Sequence, residues 1–365
     1  MAIERLYVDE ELKDHPEAAE MAGRLGLTPV VIDDRSRLFD PLKRDSDPWS
    51  RGKKVLLLTR NRGAFIKSCP GTREYLCCGY QILHIGTYCT MDCSYCILQS
   101  YYHPPLLHYF INHDDMLSEL DDIFQQKHIQ RFGTGEFTDS LIWEAWSGLT
   151  SRLVQRFAGQ TRAVLELKTK TVAISKFKDI QSNRKTILSW SLNTPQIIAS
   201  QERGTASLEA RLRAAAQAQA WGYPLAFHFD PMVIYPGCED HYRMVLERLL
   251  TAVSAENIVW ISMGTFRYIP ALKSIIEKRF ADSGIIHGEF VPGLDGKMRY
   301  FKPLRIRLYT LMVKWLRELA PDVTSYLCME DEQIWELVYG FSPKSRGGLS
   351  RMLDESARVH CNLSV

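Results

Sequence analysis

Between about residue 81 and residue 280, short apolar runs alternate with longer stretches whose apolar residues recur at helical spacing. The short runs predict strands buried on both faces, and the amphipathic stretches predict helices that cover the sheet. Such alternation predicts parallel strands joined by right-handed crossovers, so we expect an α/β fold with the architecture of a partial TIM barrel, (β/α)6. The predicted strands are 81–85, 129–132, 163–167, 186–192, 224–229 and 258–263.

Helices are expected at 141–157, 208–221 and 241–253, and two more are expected to begin near Asp114 and Pro270. Asn112 precedes one of these starts and is the expected N-cap, because its side-chain oxygen can accept from a free backbone N–H. Gly222 is expected to end the helix at 208–221, since glycine readily adopts the left-handed conformation found there.

The chain divides into three predicted segments. Residues 1–80 contain a polar connection at 34–54 and an apolar run at 55–58, and we interpret them as an N-terminal extension packed on the core. Residues 81–285 form the predicted barrel. Residues 286–365 carry a basic, aromatic segment and a predicted helical cap at 322–338.

The composition is typical of a globular protein with a large core. The 365 residues are 45% hydrophobic and 24% charged, with a formal net charge of +2 that neither requires nor excludes a polyanionic partner. The first residues are charged where a signal peptide needs an apolar run, and no stretch approaches the ~20 apolar residues of a membrane span. We therefore expect a cytoplasmic protein with no membrane partner.

Three of the nine cysteines, Cys89, Cys93 and Cys96, lie in one short segment, and the other six are scattered. Scattered cysteines do not resemble the disulfide framework of a secreted domain. Thiolates are the soft ligands that iron–sulfur clusters prefer, and three of them leave one iron of a [4Fe-4S] cluster open. The segment therefore predicts a [4Fe-4S] site.

A zinc site is the alternative for the same loop. Its fourth ligand would come from Cys77, Cys78, His84 or His103. Structural zinc sites usually combine two separated pairs of ligands, and no second cysteine pair follows at zinc-finger spacing, so the cluster is favoured.

The C-x3-C-x2-C spacing resembles the radical S-adenosylmethionine (AdoMet) superfamily, in which AdoMet chelates the open iron. The turn Gly133-Thr134-Gly135-Glu136 follows the second predicted strand and resembles the Gly-Gly-Glu motif of many such enzymes. Glycines let backbone carbonyls approach the methionyl ammonium, and a carboxylate can accept from it. Gly133, Gly135 and Glu136 are therefore expected to bind AdoMet.

Lys170, Ser191 and Asn193 end the next two predicted strands, at the edge where the active sites of barrels collect. A lysine there can reach a carboxylate or phosphate, and a hydroxyl and an amide can hold ribose or carboxylate oxygens. We expect all three to contact AdoMet. The alternative is that each is simply a polar residue at the start of a loop.

A closer resemblance links the chain to the spore photoproduct lyase family. Its order and spacing cover about residues 60 to 280, and it rests on the motifs Cys96-Ile97-Leu98-Gln99, Arg131-Phe132, Thr169-Lys170, Ser189-Trp190-Ser191-Leu192-Asn193, Glu202-Arg203-Gly204-Thr205 and Trp221-Gly222-Tyr223-Pro224-Leu225-Ala226-Phe227. The resemblance implies a partial TIM barrel, a [4Fe-4S] cluster, AdoMet, and repair of a thymine dimer in DNA. An external one-electron donor such as flavodoxin or ferredoxin is also expected.

Carried over by position, the resemblance implies that Cys89, Cys93 and Cys96 are the cluster ligands. Lys170 and Ser191 would then lie around AdoMet. Asp139 would match a family aspartate near AdoMet and the lesion.

The chain departs from the family at two places that concern the return of the hydrogen atom. Glu136 stands where the lyases have their hydrogen-donating cysteine, and the radical-transfer tyrosine pair is reduced to Tyr95, with Ile97 at the other position. The O–H bond of a carboxylic acid is too strong to donate a hydrogen atom readily, so Glu136 cannot take the place of the thiol. Cys238, after the fifth strand, and Cys77 or Cys78, before the first, are the candidate replacement donors, although each would ordinarily be a buried core cysteine.

The family's C-terminal part carries a basic, aromatic β-hairpin that enters DNA at the lesion, and residues 298–307 resemble it in composition. Lysine and arginine contact phosphates, and aromatic faces receive displaced bases. The alternative is a solvated amphipathic segment. The DNA contacts expected here are Arg299, Tyr300, Lys302, Arg305 and Arg307.

The sequence therefore predicts a radical AdoMet enzyme of the spore photoproduct lyase type, which is a carbon–carbon lyase acting on a thymine photoproduct in DNA. One alternative is an enzyme of the same fold that acts on another nucleic-acid base or on a peptide. The other is a zinc-stapled module that only binds nucleic acid.

Overall fold

The computed structural model of the protein describes residues 2–72 and 74–364. The strands are β1 Arg5–Asp9, β2 Val30–Ile32, β3 Val55–Thr59, β4 Ile66–Ser68, β5 Gln81–Leu83, β6 Gly86–Thr87, β7 Asp92–Cys93, β8 Leu107–Phe110, β9 Gln130–Gly133, β10 Ala163–Thr169, β11 Thr186–Ser191, β12 Glu202–Arg203, β13 Leu225–Met232, β14 Ile258–Thr265, β15 Arg267–Tyr268, β16 Phe290–Pro292, β17 Met298–Tyr300 and β18 Ser325–Leu327. The helices are α1 Pro16–Leu25, α2 Ser36–Lys43, α3 Pro48–Gly52, α4 Leu98–Tyr101, α5 His113–Phe124, α6 Leu149–Ala158, α7 Pro195–Gln201, α8 Leu208–Ala220, α9 Cys238–Ala252, α10 Pro270–Arg279, α11 Lys302–Leu319, α12 Glu332–Tyr339 and α13 Leu349–His360.

The main sheet has eight strands in the order β18-β14-β13-β11-β10-β9-β5-β4. All neighbours pair in parallel except β4 and β5. Successive strands along the chain are neighbours in space, which is the topology of a barrel wall. The predicted α/β partial barrel is therefore confirmed, and its six predicted strands are β5, β9, β10, β11, β13 and β14.

The strands of the barrel form where apolar residues are continuous. All residues of β11 and β14 are buried, as expected when helices cover one face and the barrel interior the other. Ser207 caps the start of helix α8, because its hydroxyl accepts from the N–H of Ala210 over 3.2 Å. Gly222 follows the helix with φ of +86°, as the sequence predicts.

A second sheet, in the order β2-β1-β3-β8-β6, contains the N-terminal strands. Strand β3 pairs with β8, and β4 pairs with β5, so hydrogen bonds bridge the boundary predicted at residue 80. Strand β18 pairs with β14 and bridges the boundary predicted at 285 in the same way. The division into three segments stays a prediction.

Three helix predictions need correction. The helix expected at 141–157 begins only at Leu149, whose N–H donates to the Ser147 hydroxyl over 3.0 Å, after a stretch of turns. The cap expected at 322–338 is helical only from Glu332, because β18 is recruited to the sheet edge. Asn112 does precede α5, but its side-chain oxygen accepts from the N–H of Asn61 rather than from the helix.

The C-terminal region begins with an antiparallel hairpin formed by β16 and β17, and β15 pairs with the other edge of β17. The hairpin occupies residues 290–300, and the basic residues from Lys302 onward form the long helix α11. Within residues 2–72 and 74–364, no helix is both long and apolar enough to cross a membrane.

Candidate active site

A cavity of about 300 Å³ opens at the carboxyl ends of the barrel strands. The loop after β6 forms one wall, the ends of β10, β11 and β13 form the floor, and the β14–β15 segment and the β16–β17 hairpin contribute the opposite side. The residues that matter for its chemistry are Cys69, Cys89, Cys93, Tyr95, Cys96, Gly135, Glu136, Asp139, Lys168, Lys170, Ser191, Asp230, Arg267 and Lys297.

The cluster loop, residues 88–97, brings Cys89, Cys93 and Cys96 to this one cavity. A buried cation supports the loop from behind. The Lys53 ammonium donates to the carbonyl oxygens of Cys89, over 3.0 Å, and of Met91. Since Lys53 is 1% exposed, these bonds are protected from water and fix the backbone that carries the first cysteine.

Gln99 supports the other end of the cluster loop. Its amide nitrogen lies 3.2 Å from the carbonyl oxygen of Cys93 and 3.3 Å from that of Cys96, and its amide oxygen accepts from Arg279. Arg279 also donates to the Asp92 carboxylate over 3.0 Å. The loop is therefore held by its own backbone carbonyls, which leaves the thiols free to act as ligands.

A separate two-stranded sheet contributes a third restraint. Strand β7, inside the cluster loop, pairs antiparallel with β12, so that Cys93 lies opposite Glu202. The backbone N–H of Ser94 donates to the carbonyl oxygen of Gln201 over 2.9 Å. These contacts join the loop to the segment that follows α7.

The three thiols fit a [4Fe-4S] cluster better than a single metal ion. Among residues 2–72 and 74–364, no three His, Cys, Asp or Glu side chains converge closely enough to hold one ion, whereas a cluster takes each ligand on a different iron. The N–H of Met91 also lies 3.4 Å from the Cys89 sulfur, as suits a thiolate ligand. Without a metal, burial raises the pKa of Cys89 to about 12, so the site needs cationic charge to keep its thiolates.

Four of the six residues predicted to bind AdoMet line the cavity, namely Gly135, Glu136, Lys170 and Ser191. The space beside Gly135 is narrow, because a Cβ there would lie 3.0 Å from the Ser140 hydroxyl oxygen and 3.2 Å from the Lys168 carbonyl oxygen. Packing therefore favours glycine at position 135, which also lines the cavity.

Gly133 and Asn193 do not line the cavity. A Cβ on Gly133 would clash with the buried Tyr80 ring, so glycine is required there for packing. The Asn193 amide donates to the Pro231 carbonyl oxygen over 2.8 Å, and its oxygen accepts from Tyr242 over 2.9 Å. Both side-chain groups of Asn193 have partners inside the protein, and the structure therefore gives it a supporting role.

Asp139 lies at the cavity wall with its carboxylate fully engaged. It accepts from the backbone N–H of Leu141 and of Lys170 and from the Thr169 hydroxyl, over 3.0, 2.9 and 2.8 Å. Burial raises its pKa, and these hydrogen bonds oppose the rise. Asp139 therefore joins the turn after β9 to the end of β10 and positions Lys170.

Tyr95 lines the cavity with its ring, and its hydroxyl donates to the Glu202 carboxylate. Glu202 forms a buried pair with Arg211 over 2.5 Å, and Arg211 donates to the Ser191 carbonyl oxygen over 2.7 Å. The Tyr95 phenol is thus anchored away from the cavity. Burial and the Glu202 charge raise its pKa, so it remains protonated.

The cysteine that sequence reasoning missed is Cys69, which lines the cavity just after β4. The three candidate donors lie elsewhere: Cys238 is buried at the start of α9, and Cys77 and Cys78 lie on the loop before β5, outside the cavity lining. The only available signal was that Cys69 precedes Pro70 ahead of the first barrel strand. That signal does not specify which cysteine turns inward.

The prediction of DNA contacts is wrong for Arg299, Tyr300 and Arg305, which are buried. Arg299 binds Asp295 over 2.9 Å and covers the Tyr75 ring, and Arg305 binds the buried Glu330. The basic, aromatic composition of residues 298–307 is typical of nucleic-acid-binding segments, but the charges of Arg299 and Arg305 are paired inside the protein.

The two other predicted contacts remain on the surface. Lys302 binds Asp331 over 3.4 Å, and Arg307 binds Glu239 over 2.6 Å while remaining 70% exposed. Lys297, which lies just before residues 298–307 and was not among the expected contacts, lines the cavity.

Comparison with known proteins identifies the family. A sequence model described as spore photoproduct lyase matches residues 55–289. The spore photoproduct lyase of Clostridium acetobutylicum is 23% identical over 82% of this chain and 86% of its own length, and that of Bacillus subtilis is 24% identical over 66% and 70%. A solved spore photoproduct lyase variant with dinucleoside spore photoproduct superimposes with a TM-score of 0.79 at 19% identity, over 89% of this chain and 99% of the other.

A second solved variant carries bound AdoMet and dinucleoside spore photoproduct, and it has the same TM-score of 0.79 over 90% of this chain. These likenesses establish the partial-barrel fold. Because the family model covers more than half of the sequence, including the cluster loop and all six predicted barrel strands, this chain belongs to the spore photoproduct lyase family of radical AdoMet enzymes.

Proposed function

We propose that this chain repairs a thymine photoproduct in DNA as a radical AdoMet lyase. Membership in the family supports the reaction class, and the relatives named above support the lesion. The observation that carries the proposal is the convergence of Cys89, Cys93 and Cys96 on the cavity that also holds the predicted AdoMet residues.

In this proposal the three cysteines hold a [4Fe-4S] cluster, and Gly135, Glu136 and Lys170 hold AdoMet. When bound, the cluster and AdoMet supply a 5′-deoxyadenosyl radical that removes a hydrogen atom from the lesion. The protein's own residues position the two reactants and exclude water, because the cavity is walled by the buried residues of the barrel.

Cys69 is the proposed hydrogen donor in place of the missing family cysteine. Cys69 lines the same cavity as Glu136. Burial, reinforced by the Glu136 charge, raises the pKa of Cys69 to about 11, so the S–H that must be donated is present at neutral pH. The thiol is thus supplied from the loop after β4 rather than from the end of β9.

The DNA partner is proposed to approach over the β16–β17 hairpin. Lys297 lines the cavity, where it shares Asp295 with Arg299 over 3.4 Å, and Leu294, at the hairpin tip, is 72% exposed. In this proposal the hairpin offers a cation and an apolar wedge side by side. The electron donor, a flavodoxin or ferredoxin, and the cytoplasmic location remain predictions.

Anaerobic reconstitution followed by incubation with AdoMet, reductant and irradiated DNA tests the function. We expect loss of the photoproduct, measured by mass spectrometry, together with 5′-deoxyadenosine. Cys69→Ala should still form 5′-deoxyadenosine while repair falls by about 100-fold, since hydrogen transfer alone is lost.

Cys238→Ser is the matched control, because Cys238 is buried outside the cavity. It should repair at the wild-type rate. Formation of 5′-deoxyadenosine only at the uncoupled background, with no photoproduct lost, would refute the proposed function. Full repair by Cys69→Ala would refute the donor alone.

A further inference from the structure

The cavity cysteine Cys69 has a thiol neighbour on the same loop. The N–H of Cys69 donates to the carbonyl oxygen of Tyr80 over 3.1 Å, which joins the two ends of the connection between β4 and β5. The Cys77 sulfur packs against Gly71, where a Cβ would lie 3.3 Å from it and 3.9 Å from the Cys69 carbonyl oxygen. The Cys77 sulfur and the Cys69 backbone therefore flank the same glycine, and Cys77, unlike the half-buried Cys69, is exposed to solvent.

The two thiols have opposite protonation preferences. A hydrogen bond from the neighbouring Cys78 and another from the N–H of Gly79 lower the pKa of Cys77 to about 6. The pKa of the more enclosed Cys69 is raised to about 11. At neutral pH the loop therefore pairs an intact S–H in the cavity with a thiolate at the surface.

Hydrogen donation leaves a problem that the cavity does not solve by itself. Once the Cys69 S–H bond breaks and the hydrogen atom moves to the carbon radical of the substrate, Cys69 is left as a thiyl radical. The tyrosine relay that the family resemblance implies is incomplete here, because Ile97 occupies one of its two positions and the Tyr95 hydroxyl is committed to Glu202. Another path must return Cys69 to its thiol.

We propose that Cys77 is the partner that quenches the Cys69 radical, and this inference rests on the proposed function. The Cys77 thiolate bonds to the Cys69 thiyl sulfur and forms a disulfide radical anion. That species passes its extra electron to an oxidised one-electron carrier of the flavodoxin or ferredoxin class, which leaves a neutral Cys69–Cys77 disulfide. An external dithiol then reduces the disulfide by exchange at the exposed Cys77 sulfur and restores both thiols.

The electron balance of these reaction steps determines whether AdoMet is consumed. The carrier donates one electron for each cleavage of AdoMet and recovers one from the disulfide radical anion, so it is neither consumed nor accumulated. Each repaired lesion consumes one AdoMet and one dithiol and releases one methionine, one 5′-deoxyadenosine and one disulfide. AdoMet is therefore a substrate of this chain rather than a recycled cofactor.

Trapping during a single turnover tests the relay. The reconstituted enzyme is reduced by flavodoxin without added thiol, mixed with AdoMet and irradiated DNA, quenched in acid, alkylated and mapped by peptide mass. We expect a Cys69–Cys77 disulfide that rises with photoproduct loss, and one 5′-deoxyadenosine per lesion. Free Cys69 and Cys77 after repair, with many lesions repaired per 5′-deoxyadenosine, would overturn the proposal.

Two variants separate the relay from structural effects. Cys77→Ser should abolish the disulfide and lower repair beyond the first turnover by about tenfold, with added dithiol no longer stimulating the rate. The Cys78→Ser variant should still form the disulfide between Cys69 and Cys77. If Cys77→Ser turned over as wild type with the same response to dithiol, Cys77 would have no part in turnover.

A measurement without DNA distinguishes this proposal from the function on which it rests. Mild oxidation of the full-length reduced protein with diamide should cross-link Cys69 to Cys77 in the peptide map. If only a Cys77–Cys78 link formed, or none, the relay would be excluded whether or not the protein repairs DNA. If the Cys69–Cys77 link formed and no DNA was repaired, the proposed function would be at fault.

Discussion

The ammonium of Lys53 lies 3.0 Å from the carbonyl oxygen of Cys89, and neither group reaches solvent. This bond, with its partner to Met91, places a positive charge directly behind the cysteine loop. The loop is therefore positioned before any cluster arrives. A cation behind thiolate ligands also offsets part of their negative charge.

Replacement of Lys53 by methionine should loosen the loop. The carbonyl oxygens of Cys89 and Met91 lose their donor, and we expect the free energy of unfolding to fall by about 2–3 kcal/mol. Iron bound per chain after reconstitution should fall as well. Lys54→Met is the matched control, because Lys54 is a surface lysine paired with Glu4, and it should leave both quantities unchanged. Equal iron content in the two variants would contradict the supporting role.

Loss of one cluster ligand should remove the cofactor without unfolding the barrel. Cys93→Ala is expected to bind little iron and to form 5′-deoxyadenosine at least about 100-fold more slowly than the wild type, since a three-cysteine site cannot lose a ligand. The measurements are iron analysis, visible absorbance and circular dichroism. Cys361→Ala, at a buried cysteine in the C-terminal region, should retain iron. Stoichiometric zinc instead of iron in the wild type would favour the zinc alternative.

Three glycine variants separate packing from ligand binding. Gly133→Ala should destabilise the protein by about 3 kcal/mol, because its Cβ would clash with the buried Tyr80 ring. Gly135→Ala should fold but bind AdoMet less tightly, as measured by equilibrium dialysis of the reconstituted protein. Gly148→Ala should change neither property, since no atom lies within 4 Å of its new Cβ. Tight AdoMet binding by Gly135→Ala would show that this glycine does not face the ligand.

Two half-buried histidines, His84 and His108, are expected to lower the stability of the protein in acid. Burial lowers the pKa of both His84 and His108 to about 4, so each is neutral in the folded protein well below pH 6.5. Between about pH 6.5 and pH 4 the unfolded chain binds more protons than the folded one, and stability therefore falls as the pH falls. We expect a loss of about 2 kcal/mol per histidine, measured by urea unfolding of the cluster-free protein. His108→Gln should flatten this dependence, and an unchanged slope would contradict the assignment.

The basic segment should divide into structural and surface positions. Arg305→Met leaves the buried Glu330 without its ion partner and is expected to lower stability by about 3–5 kcal/mol. Arg307→Met, at an exposed position, should fold as wild type, and a weaker, less salt-dependent DNA affinity would then identify a phosphate contact. If both variants were equally stable, Arg305 would not have the internal role that its geometry indicates.

The sequence was sufficient for the barrel because its strands are continuous apolar runs separated by amphipathic helices, as at β11 and α8. It also singled out three cysteines that the structure brings to one cavity, whereas the cluster that they are expected to hold stays a prediction. It missed β18, whose three residues, Ser325–Leu327, are too short to show a period, and whose strand identity comes from the edge of β14.

The remaining misses concern which way a side chain faces and what it meets. Cys69 enters the cavity only because the loop after β4 folds over the strand ends, and no local pattern encodes that path. Arg305 looked like a nucleic-acid ligand because its partner, Glu330, lies 25 residues away. Composition reports the presence of a charge but not its neutralisation by a distant group.

The pairing of Cys93 with Glu202 also bears on the order of assembly in the cell. The Ser94 side chain bonds to the Gln201 side chain across 107 residues of chain, so the cluster loop closes only after β9, β10 and β11 have been made and paired. Contacts so distant in sequence form late in folding, and synthesis proceeds from the N-terminus. We therefore expect any cluster to be assembled after β12 has been made, because a ribosome-bound chain that ends before α7 lacks this restraint on the cluster loop.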